Sequence, residues 1–168
     1  GMLLAASNGL FHSNGSWLLH SPLSAAVAGL DIVDIASTGQ GAQETVWLAT
    51  SQGLYLFANG NLRRLGIDGL GASISAVAAQ GNLAWVASGQ HLYEVNASSE
   101  RFDRLPWSLG VIRGLSASAG ALYAGTEQGV LVRTSDGLYH HMTLGGGSAL
   151  AVHAIADAPN GVFALTGQ

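Results

Sequence analysis

The chain of 168 residues contains no cysteine and no lysine. Without Cys, disulfides, thiolate nucleophiles and Cys-ligated zinc or iron–sulfur centres are excluded. Without Lys, a catalytic Schiff base and a P-loop lysine are excluded. Charge of either sign is scarce, at 10% of residues, against about 25% in an ordinary globular chain. Six Arg against ten carboxylates leave a net charge of -4. Such a surface has no basic stripe to displace counterions from phosphates, so no nucleic-acid partner is expected. Long apolar runs are missing too. The segment from Leu3 to Leu30 lacks Asp, Glu and Arg, but Asn8, His12, Asn14, Ser16, His20 and Pro22 interrupt it. It never accumulates the roughly 18 apolar residues of a membrane span, so no membrane insertion is expected. No basic stretch precedes Met2, and no secretory leader is read there.

What remains is apolar and glycine-rich. Hydrophobic residues make up 48% of the chain and Gly occurs 24 times, enough apolar surface for a core and too much for a disordered tail. The length fits about one domain, and residues 1–168 are read as a single unit.

Internal repetition dominates that unit. Leu3 to Gly15 (LLAASNGLFHSNG) matches Trp47 to Gly60 (WLATSQGLYLFANG), Trp85 to Ser98 (WVASGQHLYEVNAS) and Tyr123 to Gly137 (YAGTEQGVLVRTSDG). A shortened copy starts at Phe163. An amide recurs at Asn8, Gln52, Gln90, Gln128 and Gln168, with spacings of 44, 38, 38 and 40. Each unit opens with a small-residue strand: Asp31 to Ser37, Ser73 to Ala79, Ile112 to Ser118, Val152 to Ala158. A Gly-containing turn, an aromatic strand, a short turn, a third strand and a more polar fourth strand follow. Asn59-Gly60 and Asp136-Gly137 are tight-turn dipeptides, because both residue types tolerate positive φ. No window sustains a 3.6-residue period over helical length. Four short strands every forty or so residues predict an all-β fold of propeller blades, with repeats near 2–30, 31–72, 73–110, 111–150 and a partial 151–168. Inner strands crowd an axis and need Ala, Gly and Ser. Outer strands carry Arg63, Arg64, Arg101, Arg104, His140 and His141, whose polarity discourages edge pairing.

The stretches GNLAWVASGQHLYEV and VWLATSQGLYLF resemble the regulator-propeller repeats of bacterial sensor kinases, whose core reads roughly N-L-W-I-G-T-x-x-G-L. ALYAGTEQGVLVRTSDG is also similar to sialidase-type repeats that carry Asp boxes. The resemblance spans nearly the whole chain and implies a fold more than a function. A sialidase would need an arginine cluster on inner strands, and of the six Arg only Arg113 falls on one.

The first copy lacks an inner strand, while the last supplies an inner and a second strand. The array could close on itself as four blades, close with another chain, or be a piece of a larger propeller. Closure between chains is preferred, since open blade ends would bare apolar faces and unpaired edges, so a homo-oligomer is expected.

Candidate ligand-binding residues are the ones that break the repeat. Asp34 stands where other inner strands have Ala76, Gly114 and Ala154, and the favoured alternative to a ligand-facing carboxylate is a solvated or backbone-bonded one. Arg113 and His153 align with Val33 and Ser75. Trp107 follows Pro106 in a connection on the face where propellers bind ligands, and could stack on a sugar or pack between blades. A rule broken in one repeat is where function concentrates. For the recurring amides, turn chemistry is the favoured reading. The six His lack ligand spacing: His140 and His141 are adjacent and would face opposite sides of a strand. No metal, no cofactor and no catalytic residue is therefore assigned. The sequons at Asn14 and Asn96 are read as coincidence in a bacterial-looking composition, with periplasm, exterior and cytoplasm all left open. The expected function is a non-catalytic binding scaffold for a protein, a small polar ligand or a carbohydrate, resembling the sensory segment of a bacterial signalling protein. The rivals are a propeller-type carbohydrate hydrolase and a repeat fragment that assembles without a ligand of its own.

Overall fold

The computed structural model describes residues 3–6, 9–13, 18–20, 22–39, 44–66, 73–106, 110–142, 150–158 and 161–166. They form five antiparallel sheets in which each strand bonds the next in sequence. The first holds β1 (Leu3–Ala6), β2 (Gly9–Ser13) and β3 (Leu18–His20). Three complete sheets follow: β4 (Ile32–Thr38) to β7 (Asn61–Leu65), β8 (Ala76–Gln80) to β11 (Phe102–Leu105), and β12 (Ile112–Ser118) to β15 (Tyr139–Met142). Between β4 and β7 lie β5 (Thr45–Thr50) and β6 (Gly53–Ala58). The next sheet contains β9 (Leu83–Ser88) and β10 (His91–Asn96), and the one after it β13 (Ala121–Thr126) and β14 (Gly129–Arg133). The last sheet is a pair, β16 (Val152–Ala158) and β17 (Gly161–Thr166). No α-helix occurs among the described residues; a single 3-10 turn covers Pro22–Ser24. These sheets are the blades of a β-propeller.

Tight turns set the register of each blade. Asn59 and Gly60 both have positive φ, 52° and 78°, the backbone that joins two strands without splaying them. At the first blade Ser24 acts as an edge. Its Oγ accepts the Leu10 N–H at 2.9 Å and donates to the Leu10 carbonyl at 2.8 Å.

The inner strands stack in series, β4 on β8, β8 on β12 and β12 on β16, and β1 lies against β4. Small residues permit the approach. A Cβ on Gly125 would lie 2.6 Å from Val152 Cγ1, and one on Gly114 would lie 3.2 Å from the Ile155 amide nitrogen. Each face of a blade buries its alternating apolar residues against the next blade. Trp47, Ala49, Leu54, Leu56 and Leu65 of the second blade meet Val77, Ala84, Val86 and Val95 of the third. Trp85, Ala87 and Leu92 of the third blade meet Ile112, Leu115, Leu122 and Ala124 of the fourth. The third inner strand differs from its sequence-based span. Regular pairing begins at Ala76 rather than Ser73, because Ser75 is held instead by separate bonds, its N–H to the Ala87 carbonyl at 2.9 Å and its Oγ to the Ile112 carbonyl at 2.9 Å.

Candidate functional site

One end of the array gathers the irregular residues. Ile32 pairs with Thr50, Ile112 with Thr126 and Val152 with Thr166, so each inner strand starts beside the end of its second strand. The turns bearing Gln52, Gln90 and Gln128 lie at that same end. Their geometry is turn chemistry. Thr50 Oγ1 accepts the Gln52 N–H at 3.1 Å and donates to the Gly53 carbonyl at 2.8 Å. Thr126 repeats both bonds with Gln128 and Gly129, at 3.1 and 3.0 Å.

Each of three inner strands carries a β-bulge at this end, between Ile32 and Asp34, between Ile112 and Gly114, and between Val152 and Ala154. The residues left unmatched are Val33, Arg113 and His153, and all three are exposed. A bulge takes one residue out of the ladder and re-aims its side chain. The residues that break the repeat are therefore presented by a backbone device shared between blades. The alignment of positions 33, 113 and 153 carried that signal, but the extra residue in the pairing is not visible in a sequence.

Arg113 and His153 occupy equivalent bulges on two inner strands that stack, β12 and β16. Arg113 Nη2 donates to Glu127 Oε1 at 2.6 Å, and both side chains remain well exposed. The pair is a surface ion pair, which contributes little to stability and leaves both groups open to a ligand. At the same end of the sheets, His141 Nε2 lies 2.8 Å from the Gln128 carbonyl, and Arg104 Nη2 lies 2.9 Å from His91 Nδ1.

Asp34 is used differently. It follows the first bulge, but its carboxylate turns between blades. Oδ1 accepts the Ile35 N–H at 2.8 Å and Oδ2 accepts the Val77 N–H at 2.8 Å. It thus ties β4 to β8. Burial pushes its pKa above the ordinary carboxylate value, and the two amide bonds oppose that rise. The geometry brings Arg113 and His153 into equivalent places on adjoining strands and sets Asp34 apart from them as an interblade staple. Trp107 lies outside the described residues, as do Asn8, Asn14 and Gln168.

A second polar group went unnoticed in the sequence. Trp85 Nε1 donates to Glu94 Oε2 at 2.9 Å, and Arg133 Nη1 of the next blade reaches the same oxygen at 3.2 Å. Trp85 and Glu94 are direct cross-strand partners, so the pair was legible once β9 and β10 were placed in register. Among the described residues no cluster of three or more His, Asp or Glu has the arrangement of a metal site.

No protein-family model matches the chain, and no curated protein matches it. Solved structures do. The extracellular domain of BT4673 from B. thetaiotaomicron, described as belonging to a one component system, superposes with TM-score 0.68 at 17% identity over 98% of this chain. The chain spans 25% of that protein's length. YCF48 bound to D1 peptide matches with TM-score 0.64 and 16% identity, over 98% of this chain and 58% of YCF48. The computationally designed Ika4 protein matches with TM-score 0.63 and 17% identity, over 82% of this chain and 86% of Ika4. At such identities the likeness establishes the fold, a β-propeller repeat array, and nothing finer.

Proposed function

We propose that this chain is a non-catalytic propeller segment that binds a protein or a small polar ligand through the end where its inner strands begin. One observation carries the reading. Stacked blades use the same bulge to present Val33 in one repeat, Arg113 in another and His153 in a third. A shared backbone with varied side chains is how a repeat scaffold builds a recognition surface. Arg113, beside Glu127, offers a planar fork for a carboxylate or a backbone carbonyl, and His153 offers a donor or acceptor one blade away. Trp107, in the connection leading to β12, belongs to the same proposed surface by its place in the sequence. Asp34 shapes that surface from behind by fixing β4 against β8. YCF48 is similar in fold and its structure holds a peptide, which favours a protein or peptide over a sugar.

A thermal-shift screen across peptides, sugars and organic acids tests this, followed by Arg113→Ala and His153→Ala. A ligand whose binding weakens at least tenfold in either variant, with the melting temperature of the free protein unchanged, supports the reading. A ligand insensitive to both substitutions contradicts it. We further propose that copies of the chain associate through the blade edges left unpaired at the last sheet.

A further inference from the structure

Among the described residues the last blade has two strands where the three before it have four. Between this blade and the fourth lies a cleft of about 380 Å³ lined by Tyr123, Val130, Val132, Met142, Val162 and Ala164. A cavity of roughly 150 Å³ holds one benzene ring, so the cleft has room for two large apolar side chains. Repeat positions identify what it should hold. Val130 pairs with Met142 as Leu54 pairs with Leu65. Around Leu54 and Leu65 the next blade supplies Val95 and Phe102 from its third and fourth strands. Met142, the counterpart of Leu65, is 50% exposed.

On the opposite face of the last blade Phe163 and Leu165 are 68% and 65% exposed. Had the chain closed on itself, its first blade would cover these two residues. Among the described residues the first blade is the inverse: β1 to β3 correspond to a second, third and fourth strand without an inner one. β1 and β17 are thus copies of one repeat position, with Leu3 and Ala5 standing where β17 has Phe163 and Leu165. β1 is the poorer copy. Ala5 is exposed, whereas Ala49 and Ala87 at the same position are fully buried.

We propose that β17 of one copy takes the place of β1 in a second copy, so that β16 and β17 join β2 and β3 of the partner as one four-stranded blade. This rests on the self-association proposed above and names its strands. β1 pairs with β2 in the register Leu3–His12, Leu4–Phe11, Ala5–Leu10. The same register for β17 sets Phe163 opposite His12, Ala164 opposite Phe11 and Val162 opposite Ser13. Phe11 then stands on the cleft side next to Ala164, at the place that Tyr93 takes in the third blade. Phe163 and Leu165 fall on the side of Leu10, which packs on Val46 and Leu48. The exchange thereby covers both apolar surfaces at once and uses the free edge of β17, the pairing mode of strand addition. Exchange of an equivalent element is a low-cost route to a dimer.

The chain's lack of Cys supplies a clean test. The double variant Ser13→Cys/Val162→Cys is oxidised, separated under denaturing conditions and compared with Val162→Cys alone. Native mass by light scattering accompanies both. Exchange predicts covalent species of two or more chains in the double variant, none in the single variant, and a native mass of at least two chains. A disulfide-closed single chain would overturn the proposal in favour of self-closure. A native oligomer without the cross-link, or with cross-links in the single variant, would keep self-association and overturn this docking. A native monomer without a cross-link would overturn both.

Discussion

Trp47 and Phe163 hold the same place in their repeats and meet opposite fates. Trp47 is fully buried, and Phe163 is 68% exposed. Neither the strand nor the residue class differs; only the presence of a following blade does. In a stack of sheets each unit contributes its own stability plus an interface with its neighbour. The middle of this array has interfaces on both sides, and the last sheet has one. A second contrast lies within the middle. Among the described residues Trp47 Nε1 is buried without a hydrogen-bond partner, facing Leu56 across the strands. Trp85 faces Glu94 instead and is satisfied. At this one position the second and third blades meet through an apolar pair that strands a donor, and the third and fourth through a paired polar group.

The largest effect should come from truncating the two aromatic residues. Trp47→Ala is expected to cost about 3–5 kcal/mol, as for large core aromatics. Phe163→Ala, measured where the chain is monomeric, should cost less than about 0.5 kcal/mol, as for exposed sites. Urea unfolding of both variants checks this, and equal costs would erase the contrast. Next comes Glu94→Leu, which gives the third blade the pairing of the second. It leaves Trp85 Nε1 and Arg133 without their acceptor, and should destabilise by about 1–3 kcal/mol. A neutral result in the same urea assay would mean that the Trp85–Glu94–Arg133 group contributes nothing over the apolar pair at the equivalent position.

Smaller still is the pH dependence from Asp34. Its folded pKa is raised by burial, so the folded state holds this proton more tightly than the unfolded one. Its contribution therefore favours the fold below the ordinary carboxylate value and declines as pH rises through the raised value. Asp34→Asn should remove that decline from the stability profile above the ordinary carboxylate pKa. An unchanged profile would contradict the buried placement. The smallest effect is at Asp136, whose pKa is lowered first by the Thr134 hydroxyl and then by the Leu138 amide. That contribution is present above the ordinary carboxylate value and is lost as pH falls through the lowered one. Asp136→Ala should therefore alter only the acid limb of the melting profile.

Much of the fold was legible because blade geometry leaves period-long marks. Gln52 and Gln128 follow a Thr that closes a turn, the aromatic residue of the second strand must fill the space between sheets, and Gly125 is small because Val152 needs the room. The site was legible only in part. Positions 113 and 153 stood out by alignment, yet what presents them is an extra residue in a hydrogen-bond ladder, which leaves no residue-type signature. Asp34 stood out for the same reason; its reading as a backbone-bonded carboxylate fits, while its partner across the blades, the Val77 amide, was not visible in the sequence. The exposed Phe163 is a residue whose type matches Trp47 and whose environment depends on a surface that its own repeat does not encode.

Amide hydrogen exchange across a range of protein concentrations tests the central claim most directly. At low concentration the amides of β5 and β9 should be far better protected than those of β17. Protection at Phe163 and Leu165 should rise as concentration increases, while that at Trp47 stays constant. Equal protection of β17 and β5 at every concentration would contradict the claim that these sheets are held mainly by the neighbours that cover them.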